Sequence, residues 1–272
     1  MRTHQRQLSP RTDQASRSSE GSYVGEVSIF PRPHFRHLVR VLAFATGALV
    51  MSTALEVPAS AATVTTSSVL AAAKAAITEQ SGVHVTITFT ASSSSSPREA
   101  IADLGKQSGV DVLSLGKATV TFELTPAYVY VSGNSSGLTT IFGLNSAQAK
   151  KLGKDWISVN AGSSEYSSLK SSLTISSVTG VLPAAKGTKL STEIHNGAKL
   201  DVLKWTIAAT SSGPKASYTL TVPAKGPTLP IEEIGTASNG GKETSLFSRW
   251  GERVVVKAPP ASSTITSSKI TG

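Results

Sequence analysis

Apolar residues recur along the chain at two different spacings, and the change from one to the other separates the first two elements. Between residues 64 and 80 the apolar positions follow helical spacing: Val69, Leu70, Ala73, Ala76 and Ile77. Hydroxyl residues at 65–68 can cap the start of this helix, and Gly82 ends it. From residue 83 the period becomes two, which predicts a half-buried strand over residues 83–90.

Short alternating segments separated by glycine and proline continue this pattern. A serine run at residues 92–96 indicates a flexible turn, and strands are predicted over 100–104, 110–115, 118–124 and 127–132. On the third of these, Val120, Phe122 and Leu124 form one face. The connections are too short for parallel crossovers, so the segments predict antiparallel hairpins.

The middle of the chain returns to helical spacing. Helices are predicted over residues 138–144, 146–152, 165–173 and 175–182, with Asn145 and Thr174 as caps of the second and fourth. A brief strand at 155–159 interrupts them. The middle block therefore supplies helices to a chain that is otherwise made of strands.

Strands resume after residue 189. Asn196-Gly197 is a strong two-residue hairpin signal between strands at 190–195 and 199–209. On the next strand Ala216, Tyr218, Leu220 and Val222 alternate with polar residues, and further strands are predicted at 227–234, 243–248 and 253–256. Residues 259–272 are rich in Ser and Thr and are expected to be disordered.

About ten strands in two blocks with intervening helices predict an α+β fold. The strict alternation gives the sheet one apolar face and one solvent-exposed face. A sheet of this size must curl or be covered by other elements. We expect a large curved antiparallel sheet, a half-barrel, with the helices covering its concave face.

The N-terminal region is expected to be a leader. From Val41 to Leu55 the chain has no charge, Arg36 and Arg40 precede this stretch, and Ala59-Ser60-Ala61 follows it. This order is typical of a secretory signal cleaved after Ala61 and predicts a secreted protein. The alternative is an anchor formed by the uncleaved stretch, although fifteen residues rise only about 22 Å as a helix. The expected division is residues 1–61 as extension and signal peptide, 62–258 as a single domain and 259–272 as tail.

Composition narrows the function. The 272 residues include no cysteine, which excludes a disulfide scaffold, a cysteine nucleophile and an acylated cysteine. Aromatic residues are 6% of the chain, and the formal net charge of +9 contains no Lys/Arg cluster in the expected domain, so nucleic-acid binding is not expected. A mild basic excess favours peripheral contact with anionic membrane surfaces. A monomer is expected.

Catalytic motifs are weak. Gly133-Asn134-Ser135-Ser136-Gly137 matches G-x-S-x-G, but the only histidine after it is His195, on a polar strand face. His84 also lies on a polar face, and no spacing indicates a metal site. We therefore expect no enzyme activity, no metal and no cofactor.

Four stretches resemble a known family. They are the Ala-rich first helix leading into Val83-His84-Val85, the segment at 127–131 (AYVYV), the segment at 151–157 (KLGKDWI) and the segment at 247–259 (FSRWGERVVVKAP). Together they resemble the actinobacterial LppX/LprA/LprF/LprG lipoprotein family, whose fold is similar to that of the carrier LolA. The chain departs from the family in lacking the lipobox cysteine, in Asp155 between the Lys and the Trp, and in Arg253 where the family often has proline.

The resemblance implies a half-barrel with an apolar cavity for the acyl chains of lipids or glycolipids. Each buried methylene contributes about 0.8 kcal/mol, so a long chain needs few polar contacts. A secreted lipid- or glycolipid-binding carrier of the cell envelope is the expected function; the alternative is a structural or interaction protein with a packed core and no ligand. The candidate ligand contacts, for each of which the alternative is a place in an ordinary core, are Phe122, Leu138, Ile141, Phe142, Leu169, Val178, Trp205, Tyr218 and Leu220.

Overall fold

The structure is a computed structural model that describes residues 64–90, 98–210 and 214–271. The predicted leader, its predicted cleavage site after Ala61 and the turn predicted at 92–96 lie outside the described residues. In the part of the chain that is described, no helix is both long enough and apolar enough to cross a membrane.

Helix α1 (Thr66–Glu79) confirms the first helical prediction. Thr65 Oγ1 accepts a hydrogen bond from the Ser68 N–H at 3.1 Å, and Ser68 Oγ accepts one from the Thr65 N–H at 3.0 Å. This reciprocal capping box pairs two backbone donors that the helix itself leaves unpaired. The apolar stripe of α1, which includes Val69 and Ile77, is buried.

Twelve strands within the described residues form one sheet. In chain order they are β1 (Gly82–Thr90), β2 (Arg98–Gly105), β3 (Gly109–Leu115), β4 (Ala118–Leu124), β5 (Tyr128–Gly133), β6 (Trp156–Asn160), β7 (Lys189–His195), β8 (Ala198–Ile207), β9 (Ala216–Pro223), β10 (Glu232–Ala237), β11 (Lys242–Ser248) and β12 (Thr264–Thr266). Their spatial order is β12-β6-β5-β4-β3-β2-β1-β11-β10-β9-β8-β7, antiparallel throughout except for the parallel β12–β6 pair. The predicted α+β half-barrel, an open curved sheet with a few helices, is confirmed.

The two blocks of strands join at the centre of the sheet, because β1 pairs with β2 on one side and with β11 on the other. In one row across the join, Val85 on β1 lies opposite Ala102 on β2 and Phe247 on β11. All three are buried. The hairpin between β7 and β8 turns at Asn196 and Gly197, whose φ angles of 49° and 79° are those of the predicted two-residue turn.

Helices α2 (Ser135–Thr140), α3 (Ser146–Leu152) and α4 (Ser164–Ser172) lie over β4–β6, and a 3₁₀ helix (Ile175–Val181) packs against α1. Helix α2 approaches β4 so closely that a Cβ on Gly137 would lie 2.1 Å from the Thr119 carbonyl oxygen. Under α2–α4 the core is tightly filled. Phe122 and Phe142 meet there edge to face, with centroids 6.1 Å apart.

Several predicted boundaries are wrong. The helix predicted over 138–144 begins at Ser135, because Asn134 Oδ1 accepts the Gly137 N–H at 2.7 Å and so acts as N-cap. The segment 175–182 is a 3₁₀ helix, and the Thr174 hydroxyl donates back to the Lys170 carbonyl rather than capping it. The strand predicted over 227–234 is instead Glu232–Ala237, after two prolines that lack an N–H.

Two predictions near the C-terminus also need correction. Residues 253–256 do not form a strand. Val254 lies across Gly82 and Gly105, whose lack of side chains leaves room for it. Ser108 Oγ donates a hydrogen bond to the Val254 carbonyl at 2.8 Å. The segment predicted to be disordered contains a 3₁₀ turn, β12 and a short helix α5 (Ser268–Thr271). Ile270 is 5% exposed and joins the core beneath α2–α4, which explains the order of this segment.

Candidate functional site

A cavity of about 400 Å³ lies between the concave face of the sheet and the 3₁₀ helix. Strands β1, β2 and β8–β11 contribute most of its floor, and the 3₁₀ helix with residues 182–184 forms its roof. Its volume falls in the range of small-molecule sites, about 300–1,000 Å³.

The floor is apolar and is recessed in the middle, where its side chains are small. On β2 the inward residues are Ala100 and Ala102, and their neighbours on β1 are Ile87 and Val85. Two alanines in adjacent inward positions leave space that larger side chains would fill. Val178 projects from the roof and is 3% exposed. The cavity therefore follows from small residues on β2 beneath a roof that stands off the sheet.

An aromatic pair forms one end wall. Trp205 on β8 and Tyr218 on β9 face each other in register and stack, with centroids 5.3 Å apart and an interplanar angle of 14°. The Tyr218 ring also lies against Gly235, where a Cβ would come within 2.7 Å of Tyr218 Cε1. Gly235 thus lets the ring lie close to the sheet.

Three carboxyl groups interrupt the apolar lining. Asp111 on β3, Glu233 on β10 and Glu243 on β11 all line the cavity. Burial raises the pKa of Asp111 to about 7. Burial, and then the charge of Glu243, raise the pKa of Glu233 to about 8. Around neutral pH Asp111 and Glu233 are therefore protonated in part of the population, whereas an exposed carboxyl would be ionised.

The structure brings three of the predicted contact residues to the cavity: Val178, Trp205 and Tyr218. The other six lie in the packed interior. Five belong to or pack against the core under α2–α4, and the sixth is buried in a second cluster beneath α1: Phe122, Leu138, Ile141, Phe142, Leu169 and Leu220. Contact with a ligand stays a prediction for each of the nine.

The sequence pattern missed the carboxyl lining. Asp111 stands between Val110 and Val112, and simple alternation would turn the two valines inward. The pairing of β3 with β4 instead turns Asp111 inward, because Asp111 lies opposite Phe122, which is buried. Glu233 follows Glu232, and the alternation of the strand sends only Glu233 into the cavity.

The G-x-S-x-G match does not assemble with His195. Ser135 starts α2 directly after β5, whereas His195 ends β7 at the far edge of the sheet. Nine strand spacings separate β5 from β7, about 43 Å along the sheet at about 4.8 Å each. These two residues are not a nucleophile and its base.

No family model matches this chain, and no curated protein matches it. Among solved structures, LprF from Mycobacterium bovis is similar with a TM-score of 0.48 and 14% identity, over 71% of this chain and 96% of that one. The lipoprotein LppX from Mycobacterium tuberculosis is similar with a TM-score of 0.43 and 20% identity, over 70% and 99%. A DUF1329 family protein from Desulfovibrio piger has a TM-score of 0.32 and 7% identity, over 71% and 95%. Likeness at this level is compatible with many functions.

Proposed function

We propose that the protein binds lipids or glycolipids and carries them in the cell envelope, with acyl chains held in the cavity under the 3₁₀ helix. The observation that carries the proposal is the cavity itself: about 400 Å³ with an aliphatic floor at the centre of the sheet. The cavity is open to solvent on one side, so its apolar lining is in contact with water, and removing such surface from water is favourable. An apolar chain that covers the lining gains this free energy.

The size of the cavity suits a chain rather than a lipid with several full-length tails. A water molecule occupies about 30 Å³ in the liquid, so 400 Å³ corresponds to roughly a dozen groups of water or methylene size. At about 0.8 kcal/mol for each buried methylene, such a chain gains most of its affinity from apolar contact. A bulky headgroup would remain outside.

Location outside the cytoplasm is part of the same proposal and is supported by the leader. The uncharged stretch from Val41 to Leu55 and the small-residue site ending at Ala61 are typical of a secretory signal. The sequence contains no cysteine, the residue that carries the acyl anchor of a lipoprotein. The proposed carrier therefore moves with its lipid rather than staying tethered.

The proposal is tested by what the protein carries when it is purified from its native host. We expect mass spectrometry of an organic extract to detect acyl lipid in near-stoichiometric amount. We also expect the delipidated protein to take up a fluorescent acyl probe. If the extract contains no lipid and the probe is not taken up, the protein is instead a structural or interaction protein.

A further inference from the structure

One buried carboxyl in the cavity lacks the hydrogen bond that such groups normally have. No donor among the described residues reaches Asp111 Oδ1, although Asp111 is only 7% exposed. Asp201, equally buried at 6% exposure, accepts a hydrogen bond from the Thr192 hydroxyl at 2.9 Å. Buried polar groups are almost always paired, because leaving them unpaired costs free energy. Asp111 lines the cavity, so a ligand can supply the missing donor.

The other charged residues in the lining are acidic, like Asp111. Glu233 and Glu243 line the cavity as well, and none of its described lining residues is Lys, Arg or His. Four strand spacings separate β3 from β10, so acidic groups flank the aliphatic floor on both sides. An anionic headgroup would meet carboxyls at either end, whereas a cation would find an acceptor.

From these contacts we infer, building on the proposed function, that the cavity takes amphiphiles whose polar end is a protonated amine, with Asp111 as the acceptor. The ammonium group donates to Asp111 Oδ1 in a charge-assisted hydrogen bond. Its alkyl chain lies over Ala102 and Val85, which follow Asp111 in the same row of the sheet. On the other side of the floor, Glu233 and Glu243 disfavour ligands that end in a carboxylate or phosphate.

Binding of such a cation should release a proton from the protein. The raised pKa of Asp111, about 7, means that part of the population is protonated at neutral pH, and the ammonium favours the ionised form. The ionisable groups that share the cavity are Glu233, Glu243 and Tyr218. The 3₁₀ helix Ile175–Val181 contains no ionisable residue. Helix α4 contains Lys170, whose Nζ lies 5.9 Å from the centre of the Tyr166 ring.

Other charged groups lie on β2 and β4, the strands on either side of β3. Asp103 on β2 and Glu123 on β4 alternate with the inward residues and so project from the other face of the sheet. Arg98 shares the inward face of β2 but is exposed, with its guanidinium 5.8 Å from the centre of the Phe89 ring. The affinity for an ammonium should therefore rise between pH 6 and pH 8 as Asp111 loses its proton.

Three probes with the same twelve-carbon chain separate the headgroup from the chain: dodecylammonium, dodecanol and dodecanoate. Titration calorimetry of the delipidated full chain at pH 7.5, below micelle-forming concentrations, should give at least tenfold tighter binding of dodecylammonium than of dodecanol. Dodecanoate should bind more weakly than either. Calorimetry in buffers of different ionisation enthalpy should show proton release with the amine alone.

The variant Asp111→Asn keeps the shape of the side chain and removes its charge. In this variant the affinity for dodecylammonium should fall to within about twofold of the affinity for dodecanol. The affinity for dodecanol itself should stay within about threefold of that of the original protein. Glu99→Gln is the matched control, because Glu99 is exposed on β2 with its side chain on the opposite face. It should change none of the three affinities. If Asp111→Asn does not fold, Glu233→Gln tests the same preference at pH 8.5, where Glu233 is largely ionised, and should weaken it there.

The outcomes are distinct. If dodecanol binds but the amine has no advantage, or if Asp111→Asn keeps the advantage, the inference is overturned and the proposed carrier function stands. If dodecanoate binds as tightly as the amine, the inference is likewise overturned. If none of the three probes binds, both the inference and the proposed function fail.

Discussion

The ring of Tyr218 lies flat enough against Gly235 that a Cβ at residue 235 would come within 2.7 Å of Tyr218 Cε1. This contact sets the position of one cavity wall, because Tyr218 in turn stacks on Trp205. Gly235→Ala should push the tyrosine ring toward the cavity. Affinity for dodecanol should fall about threefold or more, with a loss of stability of about 1–3 kcal/mol from overpacking.

Titration calorimetry and urea denaturation measure these two effects. Gly162→Ala is the matched control, because among the described residues the one neighbour of its added Cβ within 4 Å is Asn160 Oδ1 at 3.9 Å. Unchanged dodecanol affinity in Gly235→Ala would show that Tyr218 does not define the binding space.

Filling the floor of the cavity should abolish binding without unfolding the protein. Ala102 lies between Val85 and Asp111 and is turned into the cavity, so Ala102→Leu occupies ligand space. We expect at least a tenfold loss of dodecanol affinity, and a free energy of unfolding that is unchanged or higher by up to about 2 kcal/mol.

The neighbouring variant Ile101→Phe serves as control, since Ile101 is 39% exposed on the opposite face of β2. It should bind dodecanol like the original protein. An Ala102→Leu protein that retained full affinity would place the ligand elsewhere.

Asp111, which is buried, and Glu233, which is half-buried, should make the protein less stable as pH rises. In the folded state the pKa of Asp111 is raised from 3.8 to about 7 and that of Glu233 from 4.5 to about 8. Between these limits the folded state holds more protons than the unfolded state, so the free energy of unfolding falls with increasing pH. One such group contributes at most about 1.4 kcal/mol for each pH unit.

Urea denaturation of the original protein and Asp111→Asn at pH 5, 6, 7 and 8 measures this effect. The variant cannot ionise at this position, so its stability should fall less steeply up to about pH 7. Parallel curves for the two proteins would show that Asp111 is not held protonated by its burial.

The C-terminal segment should contribute to stability through Ile270. This side chain is 5% exposed in the core under α2–α4, and α3 holds its segment through a hydrogen bond from Lys151 Nζ to the Lys269 carbonyl at 3.0 Å. Ile270→Ala should lower the free energy of unfolding by about 2 kcal/mol, the low end of such changes, since a chain end can relax. Ile194→Ala, at a residue 78% exposed, should have almost no effect. Equal stability of the two variants would mean that the segment does not pack in solution.

The regular parts of the fold follow from local patterns. The alternation at Val83, Val85 and Ile87 correctly predicts which face of β1 is buried, and Asn196-Gly197 correctly predicts the β7–β8 hairpin. These features depend on residues close together in the chain. The same is true of α3, whose cap Asn145 and bounds are as predicted.

Features that depend on distant partners could not be predicted in the same way. Asp111 faces inward because β4 fixes the register of β3, so a residue that looks exposed in its own segment becomes buried. Ile270 is ordered because Gln148 and Lys151, more than a hundred positions earlier, donate hydrogen bonds to the carbonyls of its segment. The cavity is defined by two alanines on β2 and a roof about 75 residues later, and no local pattern connects them.

The central claim is that the cavity holds an alkyl chain, and a chain-length series tests it most directly. Calorimetric affinities of linear alcohols from six to sixteen carbons should at first increase about fourfold for each methylene, which is the equivalent of about 0.8 kcal/mol. The increase should level off near a dozen carbons, when the 400 Å³ are filled. Affinities that do not change with chain length, or an increase that Ala102→Leu leaves intact, would contradict the account.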